Sequence, residues 1–200
     1  MPKAYGGATC YEKTKINKII KAKNKAPDGD GGVDEKTQET LQGHGICSGM
    51  TTTWVIGFLG TQAGANDVRE FEAYFDNVLR FQGAYLKENG GRIEKQLEAV
   101  LKEKLDHDCK KLTASKGKDV KALTIPDKGD WGAYLAVWGH ATGIGCKKGL
   151  YYIMDPNYGL FEYKSKEDWL ADIGIYVEAR RKLKKMKPED EIMLFPYQKK

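Results

Sequence analysis

The sequence predicts an α+β protein, because its hydrophobic pattern changes period along the chain. The first half carries apolar residues at intervals of three and four, which is the spacing of helices that bury one face. The second half carries short runs rich in aromatic and β-branched residues with turn residues between them, which is typical of antiparallel strands. We therefore expect a helical front lobe packed on an antiparallel β-sheet.

The composition fits one globular domain. The chain has 200 residues, of which 40% are hydrophobic and 30% charged, so it is long enough to bury a sizeable core. No apolar run approaches the roughly 18 residues that a membrane span needs, and the first residues lack the apolar core of a signal peptide. We expect a monomer without a conventional export signal.

The net charge and the cysteine spacing indicate which kinds of binding partner to expect. The net charge of +5 comes mainly from lysines, which are denser at both ends of the chain and would be solvated or contact an anionic membrane surface. No nucleic-acid recognition motif accompanies them, so a nucleic-acid partner is not expected. The cysteines show no CxxC pair and no spacing typical of a metal site, which favours reduced thiols and no metal; they are Cys10, Cys47, Cys109 and Cys146.

The front of the chain divides into a basic segment and a helical region. Residues 1–36 are predicted as an N-terminal segment with a short helix at 9–25 and a flexible loop at 24–36, ahead of a single domain at 37–200. Periodicity predicts three helices in the front of that domain, at about 48–59, 66–87 and 92–112. In the first of them, Met50, Trp54 and Phe58 form a stripe that should face the core.

The back of the chain reads as strands with one helix. Residues 132–145 and 149–156 are predicted as a hairpin that turns near Lys147 and Lys148. A third strand is expected at 159–163, then a helix that begins after Ser165, then a last strand at 191–197.

Two polar residues stand out in the predicted hairpin. If the hairpin turns near residues 147 and 148, His140 on the first strand lies opposite Asp155 at the end of the second. The two side chains are then on the same face of the hairpin, within reach of a hydrogen bond. A carboxylate on one imidazole nitrogen fixes the tautomer and stabilises the protonated ring, as a general base requires. The pair therefore predicts an acid–base site.

A nucleophile for that site is available at the start of the first predicted helix of the domain. Cys47 precedes the helix, where backbone N–H groups and the helix dipole favour a thiolate. A charged imidazole beside it would lower the thiol pKa further. The backbone N–H of Cys47 is also placed to donate to an oxyanion.

Two stretches carry a resemblance to a known family: GICSGMTTTW at 45–54 and WGHATGIGCKKGLYYIMDPNYGLFEY at 138–163. They resemble the bacterial effector cysteine proteases of the YopT/AvrPphB type. That family has a cysteine that opens a helix with a tryptophan several residues on, a histidine followed by small residues, and an Asp-Pro-Asn turn before a glycine and an aromatic residue. The matching positions here are Cys47, Trp54, His140, Ala141, Asp155, Pro156, Asn157, Gly159 and Phe161.

The resemblance implies a papain-like catalytic domain at 37–200, with Cys47 as nucleophile, His140 as base and Asp155 as orienting acid. It implies a cysteine endopeptidase that works through a thioester acyl-enzyme on a protein or peptide, with no metal or organic cofactor. It also implies delivery by a specialised secretion system into the cytosol of another cell, where a host protein would be cleaved.

Several points stay open at the level of sequence. The same triad also performs glutamine deamidation, transglutamination and other acyl transfers, and a non-catalytic interaction domain with the same fold is a further alternative. The second oxyanion donor is Gln42, five residues before the nucleophile, or His44, three before it; papain-like enzymes usually place a glutamine six before. His44, Trp138 and Asn157 are also candidates for the substrate cleft.

Overall fold

The computed structural model describes residues 9–12, 47–60, 77–78, 80–82, 101, 105 and 108–200. Within them lie two α-helices, Cys47–Phe58 and Lys166–Lys184, and eight strands that form one sheet. In chain order the elements are β1 (Thr9–Glu12), α1 (Cys47–Phe58), β2 (Cys109–Lys111), β3 (Ser115–Gly117), a 3-10 turn (Val120–Ala122), β4 (Trp131–Ala136), β5 (Ala141–Lys147), β6 (Leu150–Asp155), β7 (Gly159–Tyr163), α2 (Lys166–Lys184) and β8 (Ile192–Lys199). Residues 77–78, 80–82, 101 and 105 are helical.

The sheet is antiparallel at every strand pair described. Its order is β1-β7-β6-β5-β4-β8-β2, and β3 pairs with β8 beside β2. Strands β4 to β7 follow one another as a meander, because tight turns at Trp138–Gly139 and Lys148–Gly149 supply positive φ at both central residues. This meander brings the start of β5 and the end of β6 side by side in the middle of the sheet.

The two helices cover opposite faces of the sheet. Helix α1 is buried from Ser48 to Phe58 and packs on β4, β5 and β6. Helix α2 packs on β6 and β7 through residues that include Trp169 and Ile173. Its N-cap is Ser165, whose hydroxyl accepts from the backbone N–H of Asp168 at 3.1 Å. The fold is therefore three layers, with the sheet in the middle.

Helix α1 lies unusually close to β5 because two glycines of that strand face it. A Cβ at Gly143 would lie 2.4 Å from Cε3 of Trp54, and a Cβ at Gly145 would lie 2.5 Å from Cε1 of Phe58. The intervening Ile144 belongs to the core on the α2 side, as the two-residue period of a strand requires. The aromatic stripe predicted for α1 therefore rests directly on the backbone of β5.

Most of the predicted helices and strands are present among the described residues. The first helix of the domain, predicted at 48–59, spans Cys47–Phe58, and the third strand occupies 159–163 as expected. The helix after Ser165 and the last strand are also present, the latter extended to Lys199. The described residues of the predicted 66–87 helix are helical, as are residues 101 and 105 of the predicted 92–112 helix.

Three predictions of secondary structure are wrong. The single strand predicted at 132–145 is two strands, because Val137 and His140 exchange backbone hydrogen bonds across a two-residue turn. Residues 9–12 form strand β1 on β7 instead of starting a helix, and residues 109–111 form β2 on β8 instead of ending one. In both of these cases pairing with the sheet edge overrides local helix preference. The predicted loop at 24–36, Gln42 and His44 lie outside the described residues.

Substitution of Gly143 by alanine should destabilise the protein by about 1–3 kcal/mol, since the added methyl group meets the fully buried Trp54 ring and neither layer can move freely. Gly174 in α2 is a matched control, because the nearest atom to its Cβ position lies 4.0 Å away. Alanine there should raise the free energy of unfolding by about 0.5–1 kcal/mol through helix propensity. Urea denaturation measures both. Equal effects of the two substitutions would contradict the close packing of α1 on β5.

Candidate active site

The structure brings His140 and Asp155 together where β5 starts and β6 ends. His140 ends the turn before β5, Asp155 ends β6, and Nε2 of His140 lies 3.2 Å from Oδ1 of Asp155. The strands pair with Gly143 opposite Met154, which is two residues away from the register that the sequence predicts. A shift of two residues keeps every side chain on its face, so the two residues still meet, as diagonal neighbours.

Asp155 is held in place as an acceptor. Its side chain is fully buried, and its Oδ1 accepts from the backbone N–H of Asn157 at 2.8 Å as well as from His140. The residue also closes the turn to β7, because the backbone N–H of Tyr158 donates to its carbonyl oxygen. A turn residue thus presents its carboxylate to the imidazole in one fixed orientation.

Cys47 is the first residue of α1, and its thiol interacts with His140. Its side chain is half-buried and hydrogen-bonds with the His140 ring. Because Nε2 of His140 contacts Asp155, Nδ1 is the ring nitrogen that remains for exchange of a proton with the thiol. The backbone N–H groups of Ser48 and Ala141 also reach the sulfur. The three candidate residues therefore form a chain from helix to turn to strand.

The charges of this chain support one another. Burial alone would raise the pKa of the Cys47 thiol, but the hydrogen bond and the charge of His140, with the backbone hydrogen bonds from Ala141 and Ser48, together outweigh it and lower that pKa. Burial alone would lower the pKa of His140, but hydrogen bonds to Asp155 and Cys47 and the charges of both raise it to about 9. Both shifts favour the charged pair, a thiolate beside an imidazolium.

Further residues support the site from both layers. The Tyr134 hydroxyl donates to Oγ of Ser48 at 3.0 Å, and Oε1 of Gln82 accepts from the backbone N–H of Gly49 at 2.9 Å. On the α2 side, the hydroxyl groups of Tyr176 and Thr142 lie 2.9 Å apart. The Tyr176 ring centroid is 6.5 Å from that of His140, and burial raises the pKa of this tyrosine, which keeps it neutral.

The sequence-based prediction did not include these supporting residues, although the sequence pattern around one of them, Gln82, indicates a buried polar contact. Gln82 follows Val78 by four residues on the predicted apolar face of the 66–87 helix, and a polar residue on such a face often has a buried partner. Tyr134, Thr142 and Tyr176 read from sequence as ordinary core residues of strands and a helix. Only the packing of the layers shows that they surround the site.

Of the candidate cleft residues, Asn157 lies beside His140, whereas Trp138 packs against the core. The side-chain amide nitrogen of Asn157 lies 3.4 Å from Nε2 of His140, at the edge of the ring. Trp138 packs against the core on the α2 side, under the guanidinium of Arg181. Gln42 and His44 lie outside the described residues, so the second oxyanion donor is not assigned by this structure.

Two other properties of the described residues bear on function. No group of three His, Cys, Asp or Glu side chains is arranged to hold a metal ion in the part of the chain that the structure describes. No helix among those residues is long and apolar enough to cross a membrane.

Comparison with known proteins gives a match in structure and none in sequence. No family model and no curated protein matches the chain. The structure of the Pseudomonas avirulence protein AvrPphB matches with a TM-score of 0.55 and 12% identity, over 80% of this chain and 94% of that one. The fold is papain-like. The likeness to the YopT/AvrPphB-type proteases that the motifs indicate is thus confirmed at the level of the fold.

A second solved structure was also found. PatoxP, a cysteine protease-like domain of the Photorhabdus asymbiotica toxin PaTox, aligns with a TM-score of 0.48 and 11% identity; the alignment covers 98% of this chain and 56% of that one.

At pH 6, iodoacetamide should alkylate Cys47 faster than an ordinary thiol, because the lowered pKa leaves more of it as thiolate. In His140→Ala the hydrogen bond and the charge of the imidazole are lost, so the pKa of Cys47 should rise and the rate at pH 6 should fall about tenfold for each unit of that rise. Peptide mass spectrometry measures the rate, with Cys109 and Cys146 as internal controls, since burial raises the pKa of both. An unchanged rate in His140→Ala would contradict the coupling.

Proposed function

We propose that the chain is a cysteine endopeptidase in which Cys47, His140 and Asp155 form the catalytic triad. The observation that carries the proposal is that His140 interacts with both other residues, and that the three come from three separate elements. A core histidine needs one partner, whereas this one joins a nucleophile to a buried carboxylate. The papain-like fold supports the same assignment.

The reaction follows from the protonation state of the pair. The Cys47 thiolate attacks the carbonyl carbon of the scissile amide, and the negative charge moves to the carbonyl oxygen. The Cys47 backbone N–H stabilises that oxyanion, and Gln42 or His44 is the proposed second donor. The His140 imidazolium then gives its proton to the leaving amine, so the C–N bond breaks and a thioester with Cys47 remains.

Hydrolysis of the thioester completes the cycle. Neutral His140 takes a proton from water, and the resulting hydroxide attacks the thioester carbonyl. Collapse of the second tetrahedral intermediate releases the carboxylic acid and restores the thiolate beside the imidazolium. Asp155 keeps its charge throughout, and it fixes the ring through Nε2. These steps are complete without a metal or an organic cofactor.

The proposed substrate is a protein of a target cell, cleaved in the cytosol of that cell after delivery by a specialised secretion system. The support is the fold shared with a protein described as a Pseudomonas avirulence protein. The lysine-rich ends of the chain remain candidates for contact with an anionic membrane.

Terminus-selective proteomics of a host-cell lysate tests the proposal. Wild-type protein should create new protein termini, and Cys47→Ala should create none, because no other described thiol has a histidine and carboxylate partner. Circular dichroism of Cys47→Ala provides the control for folding. New termini in both samples, or in neither, would contradict proteolysis.

The same samples distinguish the alternatives. A gain of about one mass unit on an intact glutamine-containing peptide, dependent on Cys47, would indicate deamidation, and a stable link to an amine would indicate acyl transfer. If no modification depends on Cys47 but a lysate protein is still retained by the folded chain, the interaction-domain alternative is favoured.

A further inference from the structure

The turn that carries His140 has an unusual residue at its first central position. Val137 N donates to His140 O at 2.8 Å and His140 N to Val137 O at 3.2 Å, which leaves Trp138 and Gly139 as a two-residue loop. Both have positive φ, 42° and 74°. Glycine adopts such angles readily, and turns of this kind favour Asn, Asp or Gly at both positions. A bulky residue at positive φ is rare and must be held by its surroundings.

Two consecutive arginines near the end of α2 hold this tryptophan. The guanidinium carbon of Arg181 lies 4.6 Å from the centroid of the Trp138 ring, which is a cation–π contact. Nη2 of Arg180 donates to the backbone carbonyl oxygen of Trp138 at 3.2 Å. The ring and the main chain of Trp138 are thus both held by one helix.

Arg181 is itself held rigidly. Its Nε donates to Glu178 at 3.1 Å, and its Nη1 donates to the carbonyl oxygens of Lys187 and Asp190. Its Nη2 donates to the carbonyl oxygen of Lys118. The guanidinium plane is therefore fixed by backbone carbonyls from segments that precede and follow α2 in the chain, and Trp138 packs against a guanidinium that cannot rotate away.

We propose that Arg181, together with Arg180, is a positioning residue that acts through Trp138 to hold His140 between Cys47 and Asp155. The turn connects β4 to His140. Across this turn, His140 and Val137 form two backbone hydrogen bonds with each other. If Trp138 relaxes to a negative φ, these two hydrogen bonds change and the imidazole moves relative to partners on α1 and β6. This inference rests on the proposed function in taking Cys47 and His140 as the reacting pair.

The test is the pH dependence of Cys47 alkylation by iodoacetamide, followed by peptide mass spectrometry in full-length protein. The titratable and charged groups around the pair are Asp155 on β6 and Tyr176 and Arg180 on α2, so Arg180 is left intact in the first variant. Arg181→Ala should move the alkylation profile of Cys47 to higher pH and slow the reaction at pH 6 by about tenfold, which corresponds to one pKa unit. Lys182→Ala, an exposed residue of the same helical turn, should leave the profile in place.

Two further variants separate positioning from a merely structural role. In the His140→Ala background, Arg181→Ala should have no additional effect on the profile, because it acts through the imidazole. In the Trp138→Asn background its effect should shrink, since asparagine tolerates positive φ without support. Arg181→Lys, which keeps the charge but not the fixed plane, provides a milder variant if the alanine variant unfolds.

The proposal is overturned if folded Arg181→Ala or Arg181→Lys lowers the melting temperature but leaves the profile unmoved, or if Arg181→Ala slows alkylation equally with and without His140. Because alkylation requires no substrate, these outcomes are independent of whether the chain proves to cleave a protein. If the chain is not a peptidase, the proteomics experiment would instead show no new protein termini that depend on Cys47.

Discussion

The contact of the α1 aromatic stripe with the glycines of β5 is the constraint on which the site depends. Trp54 lies seven residues after Cys47, which is two helical turns, and therefore on the same side of α1 as the thiol. Gly143 lies three residues after His140 on the strand that begins beside it. The approach of Trp54 to the backbone at Gly143 thus sets the separation of the two elements that carry nucleophile and base. Gly49 limits α1 from its other side, because a Cβ there would lie 2.1 Å from the carbonyl oxygen of Val78.

Burial makes the three polar residues depend on one another. Asp155 is fully buried and His140 nearly so, and desolvation opposes the charged form of each buried group. The charges persist because each has an opposite charge or a donor beside it: the imidazolium between two anions, and the thiolate near the backbone N–H groups of Ser48 and Ala141. Removal of one member leaves another uncompensated, so effects on reactivity and on stability should be coupled.

Sequence patterns predict the parts of this molecule that rest on local chemistry. Helix α1, predicted to start at residue 48 and found to start at Cys47, the cap at Ser165 and the β7 strand follow from periodicity and capping. The meeting of His140 with Asp155 follows from the period of two in strands. The error of two residues in register was harmless for the same reason.

What the sequence does not predict depends on packing between elements. The Trp138–Gly139 turn uses a residue that is not a turn former, and it exists because α2 holds the tryptophan from residues about 40 positions later. The edge strands β1 and β2 form on partners more than 80 residues away, beyond the range of any local pattern. Tyr134, Thr142 and Tyr176, which lie around the site, have no signal in the sequence that separates them from ordinary core residues.

Titration of the His140 imidazole by nuclear magnetic resonance tests directly whether Cys47 and His140 form a thiolate–imidazolium pair. Selectively labelled histidine is followed between pH 5 and 10 in wild type, with His140→Ala to assign the signal among the three histidines. His140 should titrate near pH 9, and Cys47→Ala should lower this pKa because it removes a hydrogen bond and a negative charge. A pKa at the ordinary value of 6.5 that does not respond to Cys47→Ala would contradict the thiolate–imidazolium pair.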